Sequence, residues 1–159
     1  MSDSMWNAAF RKQTAFLNEE ANAVLLVARG EALRRNQYYV GVEHVLLGLT
    51  RQAGARPSVV TVILRGRHEE VARQLGEFMA GAERVPPEGF FLTPRMVHIL
   101  RLAPGEADLL GQRRVGPEHL LLAILREGRS MPAGILQLSH ITLEESRVVV
   151  ERMSAQRRY

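Results

Sequence analysis

The sequence contains no cysteine, which excludes a disulfide framework, a thiolate metal site and a cysteine nucleophile. Lys12 is the lone lysine among 21 Lys and Arg residues, and aromatic residues make up only 6% of the chain. No apolar run approaches the roughly 20 residues that a membrane-spanning helix requires. Met1 to Phe10 lack a basic start followed by an apolar stretch, so they do not read as a secretory signal, and the cytoplasm is the expected compartment. There is no G-x-x-x-x-G-K-[ST] phosphate loop, no G-x-S-x-G elbow and no H-E-x-x-H pair. These absences leave no basis for a catalytic residue, a cofactor or a metal, and the chain reads as a non-enzyme.

The net charge is +4 and the pI about 10.3. The arginines are interspersed with acids and form no long block, whereas a nucleic-acid binder concentrates its positive charge on one face or in a tail. Arg157-Arg158 is too short to serve as such a tail. Apolar residues at 46% and charged residues at 24% describe a globular protein.

What the chain does have is an internal repeat. Phe16 to Arg51 matches Phe91 to Arg126 without gaps, at a constant offset of 75 residues. The identities include Leu25/Leu100, Glu31/Glu106, Gln37/Gln112, Gly41/Gly116, Glu43/Glu118, His44/His119 and Leu46/Leu121. Beyond these segments the match continues more loosely, with a one-residue slip.

The repeated pattern is helical. Leu17, Ala21, Val24, Leu25, Ala28 and Ala32 follow the three-four spacing of one apolar face, as do Leu92, Met96, Ile99, Leu100, Ala103 and Ala107. Asn18 and Thr93 stand where N-caps belong, and Pro94 suits a first helical position. Gly41 and Gly116 break the chain before second helices over Glu43 to Gln52 and Glu118 to Glu127. Third helices are expected over Pro57 to Leu64 and Pro132 to Leu138. Fourth helices are expected over His68 to Met79 and Leu143 to Met153, the last with a Thr142-x-x-Glu145 capping box. Pro104 falls inside the first helix of the second repeat and is expected to kink it. Nowhere is strand-like alternation strong enough to compete.

The fold class is therefore all-α: two tandem four-helix repeats packed as a pseudo-twofold bundle of about eight helices. Residues 1–15 form an N-terminal leader, 16–80 the first repeat, 81–90 a Pro/Gly-rich connector, 91–154 the second repeat and 155–159 a tail. One repeat alone is too small to bury a convincing core, so 16–154 is expected to be one cooperative domain. Trp6, Ala9 and Phe10 make the leader a short amphipathic segment that packs on the domain or docks on a partner.

The paired signatures Gly41-Val42-Glu43-His44-Val45-Leu46-Leu47 and Gly116-Pro117-Glu118-His119-Leu120-Leu121-Leu122 carry a family resemblance. They resemble the double repeat of the Clp N-terminal domain, found at the start of ClpC-type AAA+ unfoldases and also as a stand-alone protein. The resemblance covers about residues 16 to 154. It implies an all-α double repeat that binds proteins or peptides. Such a chain would act as adaptor, regulator or decoy for Clp-dependent proteolysis, with a Clp unfoldase or protease component as partner. The resemblance also implies that substrates bearing phosphorylated arginine can bind, the signature glutamate holding the guanidinium. The chain departs from the family in having Val42 and Pro117 where Thr or Ser is usual, and Gly30 and Gly105 in place of Glu.

Glu43 and Glu118 are thus the leading candidate site residues, with the cap positions Asn18 and Thr93 as further ligand- or partner-contacting candidates. A glutamate near a helix N-terminus also stabilises its own helix through the dipole, and that simpler role stays open. The alternative role is a bidentate pair with an arginine of a ligand or partner. His44 and His119 are expected to serve packing or local hydrogen bonding. Adjacent helical residues point about 100° apart, so a Glu-His pair does not form a metal site. A second reading makes the chain a sequestering protein for a small-molecule or cyclic-peptide ligand of Clp N-domains. Nucleic-acid binding, supported by the pI alone, ranks third, and no membrane partner is expected.

Overall fold

The computed structural model describes residues 11–79 and 91–157. The connector, the leader residues Trp6 and Phe10, and the side chain of Phe91 lie outside the described residues. Residues 11–14 are helical. The first repeat then contributes α1 (Glu19–Arg34), β1 (Tyr39–Val40), α2 (Val42–Ala55), α3 (Val59–Ile63) and α4 (His68–Met79). The second contributes β2 (Phe91–Leu92), α5 (Pro94–Leu109), α6 (Pro117–Glu127), α7 (Met131–Leu138) and α8 (Leu143–Arg157).

The local chemistry explains the boundaries. Asn18 Oδ1 accepts the Ala21 N–H at 2.9 Å to start α1, and Thr93 Oγ1 accepts the Met96 N–H at 3.2 Å to start α5. The residues after these helices, Asn36 and Gly111, have positive φ, as residues closing a helix commonly do. Ser130 Oγ caps α7 by accepting from Ala133 N at 3.2 Å. At α8, Thr142 Oγ1 accepts from Glu145 N at 3.2 Å, but the Glu145 carboxylate turns to Arg65 Nη2 at 2.8 Å. The expected capping box thus spends its return arm on a bridge between repeats. The helix at Pro104 is not interrupted: α5 has 16 residues, as does α1. α8 continues past Met153 to Arg157, so its end falls within the segment expected to be tail.

α2 and α6 form the centre. In α2, Val42 and every residue from His44 to Thr50 are buried; in α6, Pro117 and every residue from His119 to Leu125 are buried. A helix buried on nearly all sides must be sheathed by others. α1 and α4 cover α2 within the first repeat, and α5, α7 and α8 cover α6 within the second. Across the repeats α2 meets α6, α3 meets α8, and α4 meets α7, so a single hydrophobic cluster spans both.

A small parallel pairing ties the repeats together. Tyr39 pairs with Phe91 and Val40 with Leu92, while Leu17 pairs with Val115 in an isolated parallel bridge. At the repeat offset these are the same interaction made twice, in opposite directions between the halves. Asn18 N donates to Val115 O at 2.9 Å, and Thr93 N donates to Val40 O at 3.1 Å.

One buried carboxylate braces each half. Glu31 is 2% exposed and meets Arg35, Arg34 and Arg51; Glu106 is fully buried and meets Arg147 and Arg126. Burial alone would raise the Glu31 pKa, but the hydrogen bond from Arg35 and the charges of Arg34 and Arg51 outweigh it and hold the pKa low. For Glu106 the bidentate Arg147 contact, 2.8 Å on each oxygen, is the main cause of a lowered value. The first-repeat partner Arg51 and the second-repeat partner Arg126 are themselves repeat equivalents.

The helix crossing of α1 on α2 is set by Gly48. A Cβ there would lie 2.7 Å from the Val24 carbonyl oxygen, closer than packing allows. Ala123 occupies the equivalent place in α6. Gly48→Ala is expected to lower unfolding free energy by about 1–3 kcal/mol through overpacking. Gly30→Ala, with nothing within 4 Å of its new methyl, is expected to raise it by about 0.5–1 kcal/mol by removing a helical glycine. Urea unfolding of the two variants checks both signs.

Candidate functional site

The crossed pairing sets the first turn of each long helix beside the start of the other repeat's central helix. Two concave pockets result, each built from both repeats. The Glu118 pocket encloses about 200 Å³ and is walled by Pro117 and Glu118 of α6, Glu20 of α1, Gln52 of α2 and the Arg56–Val59 stretch entering α3. The Glu43 pocket encloses about 330 Å³ and is walled by Val42 and Glu43 of α2, Thr93 and Arg95 at the start of α5, and the Arg129–Pro132 stretch entering α7.

Both signature glutamates fold back over the glycine that precedes their helix. A Cβ on Gly41 would lie 2.3 Å from Glu43 Oε1, and one on Gly116 would lie 2.3 Å from Glu118 Oε1. Glycine at these caps therefore leaves the space that the carboxylate occupies. Glu43 is 24% exposed at its side chain and Glu118 14%. Burial pushes the Glu43 pKa up, with its own backbone N–H drawing it partly back. Asn18 Nδ2 sits beside Glu118, 3.1 Å from the Gly116 Cβ position, and Thr93 lines the Glu43 pocket. The four expected residues thus come together as two pairs, Glu43 with Thr93 and Glu118 with Asn18, each pair spanning the repeats. The oxygens of Asn18 and Thr93 are already engaged as helix caps.

The histidines behind these glutamates hold the turn. His44 Nδ1 accepts the Gly41 N–H at 2.9 Å, and His119 Nδ1 accepts the Gly116 N–H at 2.8 Å. An acceptor nitrogen carries no proton, so each ring is neutral with its hydrogen on Nε2. The approach of each Nδ1 to its neighbouring glutamate, 3.3 and 3.6 Å, is therefore not an ion pair. Burial lowers both pKa values to about 4. His44 Nε2 donates to Gln37 Oε1 at 2.6 Å, and Tyr39 packs edge-on against the ring at 5.2 Å. In the second repeat Gln112 bonds Ser154 instead, and the buried His119 Nε2 has no hydrogen-bond partner. Among the described residues no group of three His, Asp or Glu side chains is placed to hold a metal. No helix among them is long and apolar enough to cross a membrane.

The family model described as "Clp repeat (R) N-terminal domain" matches residues 16–154. The chain belongs to this Clp N-terminal domain family. ClpC/MecB of Bacillus subtilis, described as a negative regulator of genetic competence, is 33% identical over 129 residues, which are 81% of this chain and 16% of that protein. The chloroplastic chaperone ClpC of Pisum sativum is 37% identical over 123 residues, 75% of this chain and 13% of that one. The chain thus spans about a sixth of the length of such relatives. Among solved structures, the N-terminal domain of the ClpV1 ATPase from the E. coli EAEC Sci1 type VI secretion system superposes with a TM-score of 0.74. It is 19% identical, with 96% of this chain and 93% of that one covered. A ClpV N-domain solved in complex with a VipB peptide superposes with a TM-score of 0.67 at 22% identity, covering 86% of this chain and 85% of that one. The Clp N-domain is an all-α, non-catalytic binding domain, and the double repeat of this chain has that fold.

Several pocket residues escaped the reading of the sequence: Glu20, Gln52, Arg56 and Ser58 in one pocket, Arg95, Arg129 and Ser130 in the other. For Glu20 and Arg95 a signal was present at the repeat offset, where the two align within the matched segments; Gln52 and Glu127 align one residue past their ends.

The two imidazoles make stability fall with acid. An unfolded histidine takes up its proton near pH 6.5, while the folded ones refuse it until about pH 4. Their stabilising contribution is complete above about pH 6.5 and is lost as pH falls towards 4. Glu43 acts in the opposite sense, gaining stability on protonation, whereas Glu31 and Glu106, held low by their arginines, lose stability in acid as the imidazoles do. Thermal unfolding followed from pH 7.5 to 4 should show a steadily falling midpoint, and a level midpoint would contradict neutral buried rings.

Proposed function

We propose that this chain is a cytoplasmic peptide- and protein-binding module of Clp-dependent proteolysis, acting as an adaptor, regulator or decoy for a Clp unfoldase. Its ligands are proteins carrying arginine, including phosphorylated arginine, and its two binding points are the Glu43 and Glu118 pockets. The observation that carries this reading is the pair of glutamates, each folded over a helix cap at the mouth of a pocket shared by both repeats. A carboxylate there presents oxygens to a guanidinium in the bidentate geometry that favours arginine. Arginines of the chain line the pockets as well, Arg56 in one and Arg95 and Arg129 in the other, and their guanidiniums suit a phosphoryl group attached to the bound guanidinium. Val42 and Pro117 supply apolar walls where a hydroxyl is usual in the family. The ClpV N-domain with its VipB peptide supports peptide binding by this fold.

Burial has a consequence that separates binding from folding. The ionised Glu43 carboxylate sits where burial disfavours charge, so replacing it with glutamine removes a cost to folding rather than a support. Glu43→Gln alone is expected to keep or raise the melting temperature, and Glu43→Gln/Glu118→Gln to keep the fold. The same variant should bind an arginine-phosphorylated protein at least tenfold more weakly by titration calorimetry. Wild-type binding should also weaken on acidification at a higher pH than an ordinary glutamate would give. Unchanged affinity in the double variant would overturn the reading.

A further inference from the structure

The two pockets are related by the repeat but differ in the charges that line them. Glu20 and Arg95 occupy the same position of α1 and α5, each in the wall of its pocket. The residue that steadies each is exchanged too. Gln52 Nε2 bonds the Glu20 backbone oxygen at 3.2 Å, while Glu127, 8% exposed, holds Arg95 Nη1 at 2.7 Å. The Glu118 pocket therefore presents two carboxylates, Glu20 and Glu118, against Arg56. The Glu43 pocket is lined by one carboxylate and two guanidiniums, Arg95 and Arg129, with the Glu127 carboxylate paired to Arg95 behind the wall.

A second difference points the same way. Ser130 Oγ, in the Glu43 pocket, is spent on the cap of α7. Its counterpart Ser58 Oγ, in the Glu118 pocket, is buried and has no hydrogen-bond partner; the Ser58 N–H bonds Thr61 Oγ1 instead. A buried hydroxyl without a partner is costly unless something completes it, and a guanidinium supplies N–H donors suited to its lone pairs.

Resting on the reading that these pockets hold arginine, we propose that they divide the work. The Glu118 pocket is the site for an unmodified arginine side chain, received by Glu118, Glu20 and Ser58 Oγ. In the Glu43 pocket Arg95 and Arg129 repel a bare guanidinium and admit one only when it brings an anionic group with it. Glu20 and Arg95 are the residues that set this difference. The domain then reads two points of a partner with different chemistry, rather than the same feature twice.

The test is a ¹H–¹⁵N titration of the intact chain with N-acetyl-L-arginine amide. The backbone amides of Ser58 and Glu118 report one pocket, and those of Glu43 and Ser130 the other. The first pair is expected to saturate at concentrations at least tenfold lower than the second. Glu20→Arg should abolish that preference. Arg95→Glu/Glu127→Gln transplants the Glu20/Gln52 arrangement and should bring arginine into the Glu43 pocket. Arg95→Gln, which puts no new carboxylate near Glu127, should do so in part. Equal affinity of both pockets in the wild type, or a transplant that gains nothing, overturns the division while leaving arginine binding intact. Arginine that shifts neither pocket in any variant overturns the arginine reading of both.

Discussion

Two backbone hydrogen bonds organise this molecule: Asn18 N–H to the carbonyl of Val115, and Thr93 N–H to the carbonyl of Val40. Each comes from the residue that caps a long helix and ends on the residue that leads into the other repeat's central helix. The same residue therefore caps its own helix through its side chain and joins the other repeat through its backbone. Helices α2 and α6 can then be apolar on almost every side, because each is closed in by helices of both halves. The pockets follow from the same arrangement, since the first turn of α1 lies beside α6 and the first turn of α5 beside α2.

The polar interior is tuned in three ways. Glu31 and Glu106 are buried and stay ionised because arginines surround them, so they act as fixed anchors between helices. His44 and His119 stay neutral because burial disfavours the charged ring, and a backbone N–H bonded to Nδ1 fixes the tautomer. Glu43 is held at a pocket mouth, and among the described residues its close ion-pair geometry is with a neutral ring, so burial raises its pKa. Three environments separate a charge fixed by arginines, a neutral buried ring and a charge at the mouth of a pocket.

Much of this was legible in the residues. The apolar spacing of Leu17 to Ala32, the caps Asn18 and Thr93, and the fourth helix over His68 to Met79 all emerge from periodicity and local chemistry. The crossed pairing was not legible, because two-residue strands have no alternation to detect and their partners are set by the packing of whole repeats. Glu31 and Glu106 were visible as repeat identities, but whether a glutamate is solvated or buried depends on arginines up to 41 residues away. The opposed charges at Glu20 and Arg95 were on the page as a mismatch. They acquire meaning only when both are seen to line pockets. In the second repeat the Gln112 amide nitrogen bonds Ser154 of α8, where that of Gln37 bonds Tyr39.

Because each pocket draws walls from both repeats, one repeat alone would possess neither. A polypeptide with a single copy would have to form a symmetric homodimer to complete the site, and symmetry would force the two sites to be identical. Joining the copies in one chain removes that compulsion. Each half can then mutate without its counterpart following, which is the freedom that allows an acid and a base to stand at one symmetry-related position.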